Sequence, residues 1–208
     1  MHTYETIDEL MKYVDKNDDA KTFLNERKNQ TLSLESFNAF IERYRKRLST
    51  KKEKKFTGSA FSERVFAYWI MVELNKYGCN SLTVQRDENM KLRNNYPAHK
   101  KIDFFFEGKN GNVYIELKCC IDTLETDLYK FYLMKRCSLG RRYILILKVD
   151  DKGKKKSKGN NGYISLLEDA KTKAEGEHES LLEDYFYFAG TDVEEKITRF
   201  QELIKNHV

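Results

Sequence analysis

The chain has 208 residues, of which 40% are hydrophobic, 34% charged and 13% aromatic. That length buries a real core without disulfide staples, that apolar content excludes wholesale disorder, and no apolar run nears the ~20 residues of a membrane span. The net charge of +5 conceals two basic stretches: residues 41–55 hold eight Lys/Arg against two Glu and 151–162 hold five Lys against one Asp, whereas 163–208 hold five Lys/Arg against eleven Asp/Glu.

In chain order, residues 5–14 and 18–28 read as short helices, the second capped by Asp18 or Asp19. Residues 34–48 form a third, with Ser33 as N-cap and Leu34, Phe37, Ile41, Tyr44 and Leu48 at helical spacing. After a polar link, the spacing predicts a long helix over 60–77, capped by Ser59 and ended by Gly78. Its apolar side chains go nearly all round, so it should be deeply buried, and Glu63 sits in its first turn. Strands follow at 81–86, 101–107 and 113–118, then a helix over 123–137 opened by Asp122 and Glu125, and a near-continuous apolar strand over 142–149. Helix 163–174, the aromatic strand 184–189 and a last helix over 192–206, capped by Thr191 or Asp192, complete a mixed α/β chain. The order divides it into a helical region over 1–55 and a main domain over 56–208, whose core runs from 56 to 150 and whose C-terminal elements occupy 163–208.

The pair 101–107 and 113–118 carries the chemistry. Asn110-Gly111 suits a two-residue hairpin turn, because both positions tolerate positive φ. That turn sets Asp103 opposite Lys118 and Phe105 opposite Glu116. Directly opposed residues share a face, as do residues two apart. Asp103, Glu116 and Lys118 therefore fall on one face, with Ile102, Phe104, Phe106, Val113, Ile115 and Leu117 on the other. Two carboxylates on neighbouring strands suit a hard divalent cation, and a lysine beside them can help orient or deprotonate a water and stabilise developing negative charge. Such a set is equipped to hydrolyse a phosphodiester. Glu63 adds a carboxylate if the long helix crosses the hairpin.

Asp103, twelve residues, then Glu116-Leu117-Lys118 on paired strands resembles the PD-(D/E)xK nuclease superfamily. Gly58, Glu63, Ala67, Leu74 and Gly78 follow the pattern of that family's first core helix, Asp127–Phe131 resembles the start of its next helix, and RYILILKV its last core strand. Ile102 stands where the family often has Pro. The resemblance covers about residues 56–150 and implies a restriction-endonuclease-like αβββαβ core with a mixed central sheet flanked by helices. It also implies Mg²⁺ or Mn²⁺ held by Asp103, Glu116, the Leu117 carbonyl and Glu63, with Lys118 as the catalytic lysine. The expected activity is metal-dependent endonuclease cleavage, of DNA before RNA. The alternatives are a metal-dependent ribonuclease and a non-catalytic nucleic-acid-binding protein that retains the fold.

Phosphate contacts are expected from Arg43, Arg45, Lys46, Arg47, Lys51, Lys52, Lys54 and Lys55, and from Lys152, Lys154, Lys155, Lys156 and Lys158, so binding should weaken steeply with salt. Lys130 reads as an exposed helix residue that could also reach a phosphate. His99 reads as a loop histidine, and Glu107 as a solvated residue near the turn. A homodimer would place two such sites on two strands. Cysteines at 79, 119, 120 and 137 lack disulfide or zinc spacing, and the polar N-terminus is unlike a signal peptide, so reduced thiols in a cytoplasmic protein are expected.

Overall fold

A computed structural model describes residues 2–27, 30–49, 58–91, 97–119, 124–147, 160–173 and 178–208, with only the backbone described at 49, 87–91, 97–100 and 160–163. The elements run β1 (His2–Tyr4), α1 (Ile7–Val14), α2 (Asp18–Glu26), α3 (Leu34–Ser49), α4 (Gly58–Lys76), β2 (Leu82–Lys91), β3 (Pro97–Gly108) and β4 (Gly111–Lys118). They continue with α5 (Leu124–Arg136), β5 (Arg141–Leu147), α6 (Asn160–Lys171), β6 (Asp184–Phe188) and α7 (Val193–His207). This is an α/β protein whose single described sheet is mixed, has six strands and runs in the order β1-β2-β3-β4-β5-β6. β3 pairs with β4 antiparallel, and β4 with β5 parallel. No helix among the described residues is long and apolar enough to cross a membrane.

Several local expectations are corrected. The N-cap of α2 is Asn17, whose side chain accepts from the Ala20 N–H, rather than Asp18 or Asp19. Helix α4 starts at Gly58, so Ser59 lies inside it instead of capping it. Ser33 does cap α3, accepting from the Ser36 N–H at 3.2 Å. Gly78 does end α4, at φ 79°, a conformation that costs a residue without Cβ little. His99 falls within β3 and not in a loop. The short strand β1 carries no alternating pattern of its own; Thr3 meets Thr83 through their hydroxyls at 2.9 Å.

The chain divides into two compact units, one of residues 1–2 and 84–187, the other of 3–83 and 188–208. Helix α4 therefore groups with α1–α3 and α7. In that unit the core is aromatic: Phe40, fully buried, lies 5.2 Å from the Phe61 ring, 5.7 Å from Trp69 and 5.8 Å from Phe66. Phe40→Ala would leave a cavity that surrounding rings cannot refill, lowering unfolding stability by about 3–5 kcal/mol. Urea unfolding followed by Trp69 fluorescence checks this; a loss below about 1 kcal/mol would mean the rings repack.

In the other unit, α5 and α6 cover one face of the sheet. Phe105, Tyr114, Ile144 and Ile146 join Leu124, Leu128, Phe131 and Met134 of α5 and Leu167 and Ala170 of α6 in one cluster. On the opposite face Phe104, Phe106, Val113, Ile115, Tyr143 and Leu145 are buried too. Strand β5 is covered on both sides, as its unbroken apolar run predicts, with Arg142 as its buried exception.

Candidate active site

The β3–β4 hairpin turns one step earlier than expected. Its pairs include Phe104 with Ile115 and Gly108 with Gly111, which makes Lys109-Asn110 the two-residue connection and leaves Gly111 at φ 108° as the first residue of β4. Phe105 therefore pairs with Tyr114, where the Asn110-Gly111 turn would have set it opposite Glu116. The displacement is by two residues in the pairing sum, and the side-chain period is also two, so the paired residues from Phe104 to Glu107 keep their predicted faces, whereas Ile102, expected on the other face, is buried in the same cluster as Phe105 and Tyr114. Beyond the last pair, Phe104 with Ile115, the Asp103 Oδ2 accepts the Leu117 N–H at 2.8 Å, tying the carboxylate to the next strand's backbone.

Around Glu116 the charges form a closed set. The Lys118 ammonium lies 3.2 Å from Glu116 Oε1 and 2.9 Å from Asp127 Oδ2. The Lys130 ammonium lies 2.8 Å from Glu116 Oε2 and 3.4 Å from Asp127 Oδ1. Two carboxylates and two ammoniums thus alternate, with no net charge. Glu116 and Asp127 are 4% and 3% exposed, a depth at which an unpaired carboxylate would be very costly. Lys130 also donates to the Lys101 carbonyl at 2.9 Å, so its three N–H groups have three acceptors from β3, β4 and α5.

This corrects the reading of Lys130 as an exposed helix residue: it is 8% exposed and turned into the protein. Asp127, which the sequence reading placed only as part of a helix start, belongs to the same group. The available signal was positional. Asp127 and Lys130 stand three apart on the stripe occupied by Leu124, Leu128, Phe131 and Met134, where polar residues need partners.

The set also decides the protonation of Lys118. Burial disfavours its charge, but Glu116 and Asp127 outweigh that and hold the ammonium well above the ordinary lysine range. It acts here as a donor and not as a base. A raised value means that its stabilising contribution is complete below the unfolded-state pKa of ~10.4 and is lost only as pH climbs through the higher folded value. In a ¹³C-lysine NMR titration the Lys118 ε-carbon should keep its ammonium shift while surface lysines titrate; titration alongside them would show that the carboxylates do not engage it.

Glu63 is in α4, in the other compact unit, and its Oε1 accepts a short hydrogen bond from the Tyr13 hydroxyl. Burial and that carboxylate push the Tyr13 hydroxyl far above its usual range. Arg64 stacks its guanidinium 4.5 Å from the Tyr13 ring centre. Of the basic candidates, Arg43 pairs with Glu26 at 3.8 Å and Arg47 with Asp19 at 2.7 Å, while Arg45 and Lys46 are exposed on α3. Lys51, Lys52, Lys54, Lys55, Lys152, Lys154, Lys155, Lys156 and Lys158 lie outside the described residues, as do Asp122 and Cys120.

Among the described residues no group of three or more His, Cys, Asp or Glu is arranged to hold a metal ion. Two carboxylates nevertheless suffice for Mg²⁺, which keeps several waters and takes the rest of its oxygens from phosphate. Glu116 Oε2 and Asp127 Oδ2 are buried without a well-aligned hydrogen bond, although each has an ammonium nearby. The Glu116 oxygen, hard and with a lone pair to spare, beside the Leu117 backbone that Asp103 holds, fits such a cation. Comparison with family models, with characterised proteins and with solved structures finds no match for this chain.

Proposed function

We propose that the chain is a divalent-metal-dependent endonuclease of the PD-(D/E)xK kind, cleaving phosphodiesters in nucleic acid, DNA before RNA. The observation that carries this reading is the meeting of the Asp-Glu-Lys set at the end of the hairpin: Asp103 Oδ2 accepts the Leu117 N–H at 2.8 Å, and the Lys118 ammonium lies 3.2 Å from Glu116. Asp103, Glu116 and the Leu117 carbonyl would hold Mg²⁺ or Mn²⁺. The bound ion supplies Lewis acidity toward a phosphate oxygen and an acidified water. The chain's own part is electrostatic and geometric. The Leu117 N–H fixes Asp103 in its rotamer. The low-polarity surroundings of Phe105, Tyr114, Phe131 and Ile144 strengthen every charge in the site. Lys118, kept protonated, donates toward the water or the phosphate oxygen on which negative charge grows.

A second reading has an observation in its favour. The four charges balance among themselves, as a purely structural ion-pair set would, which suits a nucleic-acid-binding protein without catalysis. Incubation with supercoiled plasmid, single-stranded DNA and RNA, in Mg²⁺, Mn²⁺ or EDTA, separates the two. Nicking or linearisation that EDTA abolishes is the expected result. Retention of nucleic acid in a gel-shift without cleavage under any metal would support the second reading and overturn the first.

A further inference from the structure

We infer that α5 supplies two positioning residues to this site, Lys130 for the Glu116 carboxylate and Asp127 for the Lys118 ammonium. The inference rests on the hydrolase reading above and extends it to residues outside the Asp-Glu-Lys set. The geometry is specific. Lys130 contacts Glu116 at 2.8 Å through Oε2, while Lys118 contacts the same carboxylate through Oε1 at 3.2 Å. Glu116 is thereby gripped at both oxygens, and its plane is set by two ammoniums that come from different elements. Lys130 in turn is anchored by the Lys101 carbonyl of β3, at 2.9 Å. One ammonium therefore joins β3, β4 and α5. Asp127 does the same for Lys118, at 2.9 Å. Without it, a four-carbon side chain with only Glu116 to meet would be free to swing outward.

The chemistry asks for such a frame. A carboxylate that binds a divalent ion, and a lysine that donates to a developing charge, work only when held within a fraction of an ångström of the productive place. A buried carboxylate gripped by two ammoniums is correctly turned before any cation arrives. Loosening it therefore lowers turnover more than it lowers affinity for the nucleic acid, whose backbone is gripped elsewhere.

The decisive experiment removes the pair together. Asp127→Leu with Lys130→Met takes away one acid and one ammonium, leaves Glu116 with Lys118 in balance, and fills the space with apolar atoms of similar volume, a change that folded cores accept. The doubly substituted protein should match the parent in circular dichroism and melt no more than a few degrees lower. It should lose at least about 100-fold in kcat with KM for the nucleic acid changed less than about threefold, and should bind Mn²⁺ more weakly by electron paramagnetic resonance. Lys130→Arg, which keeps the charge, should recover part of the lost turnover. If the parent cleaves and the double variant cleaves within about threefold of it, α5 has no part in the site and the inference fails. A parent that cleaves nothing under any metal instead overturns the hydrolase reading itself. Unchanged Mn²⁺ affinity in the double variant would likewise refute the positioning of Glu116.

Discussion

Asp103→Ala and Lys118→Ala should each abolish metal-dependent cleavage, by about 100-fold at the least. The two losses have different physical origins and can be told apart. In the proposed reaction Asp103 would supply an oxygen to the cation, and it accepts the Leu117 N–H. Removing it should weaken Mn²⁺ binding as well as turnover, and raised Mn²⁺ should restore part of the rate. Lys118 would supply charge at the reacting phosphate, so its loss should leave Mn²⁺ affinity in place, or raise it, while turnover falls and stays low at any metal concentration. Lys118→Ala also leaves Glu116 and Asp127 sharing only Lys130. The variant will therefore be less stable, and its cleavage should be measured at low temperature with circular dichroism confirming the fold. Either protein cutting plasmid as fast as the parent would remove the basis of the proposed reaction.

Arg142→Met should be among the most destabilising single changes in the chain, costing about 3–5 kcal/mol. Arg142 is 3% exposed. Its guanidinium spends all of its donors inside the protein: to the carbonyls of Leu139 at 2.6 Å, Gly140 at 2.8 Å, Leu181 at 2.8 Å and Ser180 at 3.0 Å, and to Glu179 at 2.9 Å. Those carbonyls belong to the connection after α5 and to the segment before β6. Methionine fills much of the volume but leaves the half-buried acceptors without their donor, and that asymmetry, rather than the mean value of a hydrogen bond, sets the cost. Lysine would keep the charge yet could not copy the planar fork, so Arg142→Lys should recover only part of the loss. Guanidinium unfolding of the parent and both variants measures it; a loss below about 1 kcal/mol for methionine would show that water reaches these carbonyls.

The element pattern was legible in the sequence because its causes are local. The periodicity of α3 and α4, the unbroken apolar run of β5, the Ser33 cap and the Gly78 stop each depend on a few neighbouring residues. The faces of the hairpin were legible too, for a less obvious reason. The turn was placed one step late, but the error in pairing equals the side-chain repeat, so the paired residues from Phe104 to Glu107 kept their faces. Helix ends fared less well. Asn17 rather than Asp18 or Asp19 caps α2, because several adjacent side chains could have done so and one hydrogen bond decides among them.

The sequence by itself determined most of the helices and strands, though not β1 or the start of β3, and which side of the hairpin bears its charges, because those follow from backbone sterics and a two-residue repeat. Only the tertiary structure decided that α5 turns Asp127 and Lys130 inward onto Glu116 and Lys118, that Arg142 holds two loops, and that Glu63 bonds Tyr13. Each of these pairs buried or half-buried polar groups from segments distant in the chain. Its partners are chosen by how elements far apart in the chain come together, and nothing in the local pattern carries that choice.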